Sequence, residues 1–274
     1  VFIMPIGLYF ENRSGRQSGL VVPSFFFSNA NGVVFQNLGY YFALSDYYDL
    51  ALTGDIYSRG SWGLHAASRY KLNYKFSGNF GIDYTKNKVG FSFAPDYYEN
   101  SGFFVRWSHT QDAKARPNTT FGASVNLGTS DYLANNSYSS SYLTNQLNSS
   151  VSYTKSFPGS PFNLTVALRH SQNTSDNIVN ITAPEASLSM NRIYPFKKIS
   201  NNKEGFLSQF SVGYSVNTRN QISAPDSLLL MPSTFENMSN GMQHKVTTSA
   251  PVKFFKYFTF SPSFNYTENW YLES

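Results

Sequence analysis

The feature that most constrains this chain is a period-two alternation of apolar and polar residues, repeated about a dozen times with turn-forming clusters between the repeats. Phe103, Val105, Trp107 and His109 share one face of a segment whose other face holds Phe104, Arg106, Ser108 and Thr110. Phe121, Ala123, Val125 and Leu127 oppose Gly122, Ser124, Asn126 and Gly128 in the same way. The pattern returns with Phe162, Leu164, Val166 and Leu168 against Asn163, Thr165, Ala167 and Arg169, and again where Phe258, Phe260, Phe264 and Tyr266 alternate with small polar residues. Successive side chains of a strand point to opposite faces, so each segment reads as a strand with one greasy side and one wet side. Further strands are expected at 1–9, 19–28, 33–42, 49–58, 62–74, 77–86, 147–155, 178–190 (one strand or two), 207–217 and 243–254, about 13 in all. Spans of about 9 to 11 residues suit a tilted membrane strand, whereas strands of soluble sheets centre on about 5 or 6.

Composition separates the two environments. Charged residues make up only 14% of the 274, against about 25% in soluble domains, while aromatics reach 18% and mean hydropathy is -0.33. The polar faces carry Ser, Thr, Asn and Gly rather than Lys, Glu and Asp, as a water-filled lumen would. Aromatics gather at strand ends, in Tyr40-Tyr41-Phe42, Tyr47-Tyr48, Tyr97-Tyr98 and Trp270-Tyr271, as in interfacial girdles. No run of about 18 apolar residues exists, which excludes a helical span from hydropathy. The expected fold is all-β: one antiparallel transmembrane β-barrel wall over 1–274, about 13 strands of a larger barrel. Tight turns at 58–61 and 157–161 and long connections at 130–145 and 223–242 are expected to sort by length onto the two ends. The Ser- and Asn-rich 130–145 stretch also admits a linker reading, although the strand pattern resumes directly after it. No longer internal repeat is present, which disfavours a propeller or solenoid.

The net charge is +5 and the pI about 9.2, but the 21 Lys and Arg are dispersed and the longest block is Lys197-Lys198. A nucleic-acid surface needs a concentrated stripe, which argues against that reading, and an anionic lipid or glycolipid partner fits this charge equally well. There is no cysteine, hence no disulfide framework and no thiolate metal site. The opening Val1-Phe2-Ile3-Met4-Pro5 has neither the basic start nor the cleavage site of a signal peptide, and an outer-membrane protein needs one. The chain is therefore expected to be an excised segment of a longer protein.

Catalytic and metal chemistry finds little footing. The four histidines, at 65, 109, 170 and 244, lack ligand spacing, no serine lies in G-x-S-x-G, and no glycine-rich phosphate loop precedes a helix. Ser108 and His109 are neighbours on a strand and so face apart; a lipid hydrolase would need Ser, His and an orienting group on one face. No enzyme activity and no cofactor is expected. A cationic set in phase with the polar parity is more informative: His65, Arg69, Lys71 and Lys75, joined by Arg106 and Arg169. These six are expected to line the lumen, either holding phosphorylated or carboxylated glycolipid headgroups through charge-assisted hydrogen bonds or supplying the general polarity of a porin. Pro5 and Pro23 fall inside the first two expected strands, where each removes a ladder donor. They weaken pairing there, or mark strand ends and bulges.

These segments resemble the LptD family of lipopolysaccharide-assembly outer-membrane proteins. The resemblance is carried by Pro5, by Arg16-Gln17-Ser18-Gly19-Leu20-Val21-Val22-Pro23, by Gly39-Tyr40-Tyr41-Phe42-Ala43-Leu44 and by Asp49-Leu50-Ala51-Leu52-Thr53. Later stretches, among them Gly54-Asp55-Ile56-Tyr57-Ser58-Arg59-Gly60-Ser61-Trp62, Ala115-Arg116-Pro117-Asn118 and Met190-Asn191-Arg192-Ile193-Tyr194-Pro195-Phe196-Lys197, are similar to its Bacteroidota branch. The resemblance implies the N-terminal part of a very large barrel. A periplasmic jellyroll, absent from this stretch, receives lipopolysaccharide from the Lpt bridge, and a plug lipoprotein resembling LptE fills the lumen. Glycolipid then leaves for the outer-membrane lipids through a seam between first and last strands, with Pro5 and Pro23 matching the family's strand-weakening prolines. The cysteines that tie jellyroll to barrel in proteobacterial members have no counterpart here. A passive porin or substrate-uptake channel, and a lipid hydrolase, stand as the alternatives from other classes.

Overall fold

A computed structural model describes residues 15–29, 31–90, 95, 97–135, 146–199, 205–225, 231, 236, 238–254 and 258–272. Its dominant element is one fourteen-stranded antiparallel sheet. β1 (Gly19–Val21) and β2 (Ser24–Ser28) both pair with β3 (Gly32–Phe42). Then β4 (Leu50–Tyr57), β5 (Trp62–Leu72), β6 (Phe76–Val89), β7 (Tyr98–Gln111), β8 (Thr119–Gly128), β9 (Gln146–Ser156), β10 (Phe162–Asn173), β11 (Ile178–Ile193), β12 (Ser211–Pro225) and β13 (Ser239–Ser249) follow in chain order. The row ends at β16 (Ser263–Leu272), after a separate hairpin of β14 (Val252–Phe254) and β15 (Phe258–Phe260). Two short helices, α1 (Ser130–Asn135) and α2 (Phe206–Gln209), sit in connections, and no described helix is long and apolar enough to cross a membrane.

Accessible surface decides what this sheet is. A compact folded chain of 30.9 kDa exposes about 12,000 Å², yet this one exposes 19280 Å². The apolar rows therefore do not pack against one another in a core. Cross-strand register instead lines them up on one face: Leu64 beside Tyr84 beside Phe103, then Ala66 beside Ile82 beside Val105 beside Leu127, then Phe80 beside Trp107 beside Val125. Leu64 is 57% exposed and Ile82 41%, which in water would be a liability and in hydrocarbon is the favourable side. This outer band ends in aromatics. At one end Tyr70, Phe76, Trp107, His109 and Phe121 form a cluster with Tyr70 Oη 2.9 Å from His109 Nδ1 and 2.8 Å from Trp107 Nε1, which donates to it. Toward the other end Trp62 meets Tyr84 at 5.5 Å, beyond which Lys86 and Lys88 pair with Glu99. From Phe76 to Tyr84 the chain climbs about 26 Å along the strand, about 20 Å along the normal at a tilt of 35–45°, close to the apolar band of a membrane barrel.

The opposite face is the inner one. It carries Thr53, His65, Asp83 and Phe104 in one row and Ala51, Ala67, Gly81 and Arg106 in the next. α1 folds onto this side: Tyr132 stacks on Phe104 (5.4 Å, 19°), Leu133 and Leu147 pack with Phe104, and Ser130 Oγ donates to Asn177 Oδ1 at 2.8 Å. Gly102 makes the approach feasible, since a Cβ there would meet Thr129 Oγ1 and the Tyr132 backbone nitrogen at 2.7 Å.

Several expectations change in detail. The strand expected at 19–28 is interrupted at Val22-Pro23, although β1 and β2 keep one register against β3. Pro23 has no N–H to give, and Asn37, which the shared register sets across from it, takes φ 59° at the bulge between β3 and β4. Pro5 and the strand at 1–9 lie outside the described residues. The 178–190 segment is one strand with a bulge at Ala183-Pro184, and β12 starts at Ser211 because 206–209 is helical. Connections do not sort by length. The turns at 58–61 and 157–161 are separated by five strands, β5 to β9, and so lie at opposite ends, the first sharing its end with the long 130–145 connection.

Candidate functional site

Ionisable side chains on the inner face gather in three groups, each built from neighbouring strands. The first stands where β4 begins. Asp49, 2% exposed, accepts from Tyr41 Oη (3.0 Å), Arg16 Nη1 (3.3 Å) and the Arg69 backbone N–H (2.8 Å), with Arg69 Nε at 3.6 Å. Ser68 Oγ donates to the Asp49 carbonyl at 2.7 Å. The carboxylate is thereby satisfied on all sides and ties the segment before β1 to β5.

The second group crosses five strands near the α1 end. Asp55 on β4 accepts from the Asn37 N–H (2.8 Å) and lies 3.2 Å from His65 Nε2, whose Nδ1 is 2.8 Å from Asp83 on β6. Asp83 is also bound by Arg106 of β7. Both ring nitrogens of His65 thus face carboxylate oxygens, and both donate only in the imidazolium form. On that assignment two carboxylates balance two cations. On Tyr132 of α1, burial, with the Asp83 carboxylate close by, pushes the phenol up to about 12, so it stays un-ionised.

The third group spans β10 to β12. Arg219 Nη2 donates to Glu185 Oε1 at 2.8 Å, and Arg169 Nε stands 3.0 Å from Oε2 in an ion pair whose N–H is not aligned on that oxygen. The bulge at Ala183-Pro184 brings this about. It offsets the register against both neighbours, so that Glu185 falls directly between Ala167 and Arg219 with Arg169 diagonally adjacent. Bulges re-aim side chains in this way and are common beside functional sites. Two open cavities of about 680 and 700 Å³ flank the group and share Thr165, Ala167 and Arg169 in their walls.

Of the six cations read from sequence, His65 and Arg106 therefore meet in one network, Arg69 joins another and Arg169 a third. Lys71 lies on the inner parity of β5, while Lys75 falls in the 73–75 turn beyond the end of that strand; among the described residues no ion pair engages either. The carboxylates that pair with the others, Asp49, Asp55, Asp83 and Glu185, and the second arginine, Arg219, were missed from sequence. Their signal was present only as charges on the polar parity. Ser149 Oγ lies 3.2 Å from His170 Nδ1, but it donates to the Asn126 carbonyl, both residues are buried, and His170 Nε2 has no partner among the described residues. No cluster of metal-ligating side chains occurs among the described residues.

An apolar outer band, aromatic borders and a polar inner face carrying arginines define a wall of a membrane β-barrel. The family model described as LptD protein matches residues 1–274. The chain belongs to the LptD family, whose role is transport of lipopolysaccharide to the outer membrane. Comparison with curated proteins gives no match.

Proposed function

We propose that this chain is part of an outer-membrane translocon that inserts lipopolysaccharide into the outer leaflet, passing its headgroup along the barrel lumen and releasing its acyl chains through a lateral seam. The observation that carries this reading is the two-faced wall: hydroxyl, amide and arginine side chains on the inner face are suited to an anionic sugar, and the outer face to lipid. Pro23 supports a seam on the β1/β2 side, because a strand that cannot donate there is held by fewer ladder bonds. The protein performs no bond chemistry of its own on this reading, and the driving force is delivered from the periplasmic side. Partners of the family's kinds, an LptE-like plug lipoprotein and an Lpt bridge docking through a jellyroll, complete the machine.

Depletion in the host bacterium tests this. Surface lipopolysaccharide should fall and accumulate behind the outer membrane while uptake of small solutes is unchanged. Normal surface glycolipid with a loss of solute uptake would assign the protein to the porins instead.

A further inference from the structure

The Arg169–Glu185–Arg219 group differs from the other two in its unfinished bonding. Asp49 accepts from three donors and both ring nitrogens of His65 face carboxylates, but Glu185 Oε2 has no aligned donor. Both arginines face open space, at 66% and 60% side-chain exposure, while the carboxylate between them is 22% exposed. Each guanidinium carries five N–H donors in a planar fork matched to phosphate and carboxylate. One hydrogen bond to Glu185 leaves most of those donors unused, and the group has a surplus of one positive charge.

What surrounds the group narrows the ligand. The cavity wall beside Arg219 is formed by Ser187, Asn217, Gln221, Gln243 and Asn269, with Tyr271 at its rim. These are neutral donors and acceptors suited to sugar hydroxyls, with one aromatic ring offering an apolar face. A bare inorganic anion would use the arginines alone.

We infer that Arg169 and Arg219 form a transit site for the phosphoryl or carboxyl group of an anionic saccharide, and that Glu185 is its built-in competitor. An arriving anion takes the guanidinium forks from Glu185; when it moves on, the carboxylate returns. Passage needs binding favourable enough to enter and weak enough to leave, and an internal carboxylate sets that balance without any moving part. The identity of the saccharide as a glycolipid core rests on the proposed function, whereas the site itself does not.

Binding to the purified protein in detergent separates the two. The probes are the phosphorylated, deacylated core oligosaccharide of the host's lipopolysaccharide, the same oligosaccharide after phosphatase treatment, and inorganic phosphate. Glu185→Gln should bind the phosphorylated oligosaccharide about tenfold more tightly than the native protein. The Arg169→Ala/Arg219→Ala pair should lose that binding, and phosphatase treatment should abolish the gain. Unchanged or weaker binding in Glu185→Gln overturns the competitor role, and retained binding in the double arginine variant overturns the site. Inorganic phosphate binding as tightly as the oligosaccharide overturns the saccharide class. In cells, Glu185→Gln should delay arrival of surface glycolipid; normal arrival alongside tighter binding in vitro would leave the site standing and count against the translocon reading.

Discussion

The backbone N–H of Asn37 donates to Asp55 Oδ1 at 2.8 Å across the β3–β4 bulge. That contact joins the break at Val22-Pro23, across from Asn37, to the carboxylate that also holds His65. Asp55→Ala should therefore leave an unpaired N–H and an imidazole with half its partners, costing about 1–3 kcal/mol. Asp55→Asn keeps an acceptor for Asn37 and should cost less. Heat-induced unfolding on gels, with amide exchange read over 19–28, checks both: the alanine variant should expose β1 and β2 first, and equal behaviour of the two variants would remove the link.

Gly78 lies directly across from Tyr70, whose ring covers it; a Cβ there would run into the Tyr70 ring and the Ser108 carbonyl. Gly78→Ala should displace Tyr70 from His109 and Trp107, at an overpacking cost of about 1–3 kcal/mol. Tryptophan fluorescence of Trp107 should shift along with the loss of thermal stability. Native stability in this variant would show that the aromatic cluster is not held by the glycine hollow.

α1 reaches the inner face only because Gly102 has no side chain. Gly102→Val should detach Tyr132 from Phe104 while leaving the sheet folded, so proteolysis near α1 should accelerate at unchanged melting temperature. Coincident loss of both would mean that α1 is part of the folding core.

Much of this fold was legible because alternation is local. Which side of β7 is greasy follows from Phe103, Val105 and Trp107 alone, and His65, Arg69, Arg106 and Arg169 share the polar parity of their strands, on the face that carries α1 and the cavities. What those cations touch depends on register between strands, which local sequence does not encode. The offset at Asn37 brings its N–H onto Asp55, and the one at Ala183-Pro184 stands Glu185 between two arginines. Arg219 was missed for a plainer reason: β12 was expected to end at 217, but it starts later and runs to Pro225. Lys75 was read one turn too far along its strand.

The two faces should also tolerate charge differently. Ile82→Arg, in the middle of the outer band, should destabilise the protein in liposomes by about 2–4 kcal/mol. Ser108→Arg, on the inner face of the adjacent strand, should stay within about 0.5 kcal/mol. Folding titrations in the same lipid compare them directly, and equal penalties would mean that both positions see the same medium.

The division of each strand between hydrocarbon and water is tested most directly by labelling along β7. The chain has no cysteine, so single cysteines at 103, 105 and 107 and at 106, 108 and 110 can be read one at a time in membranes with a lipid-borne quencher and a water-soluble maleimide. The odd positions should be quenched by lipid and spared by the maleimide, and the even positions should show the reverse. Uniform labelling at both sets, or protection of the odd set without lipid contact, would contradict the membrane wall and the transport role built on it.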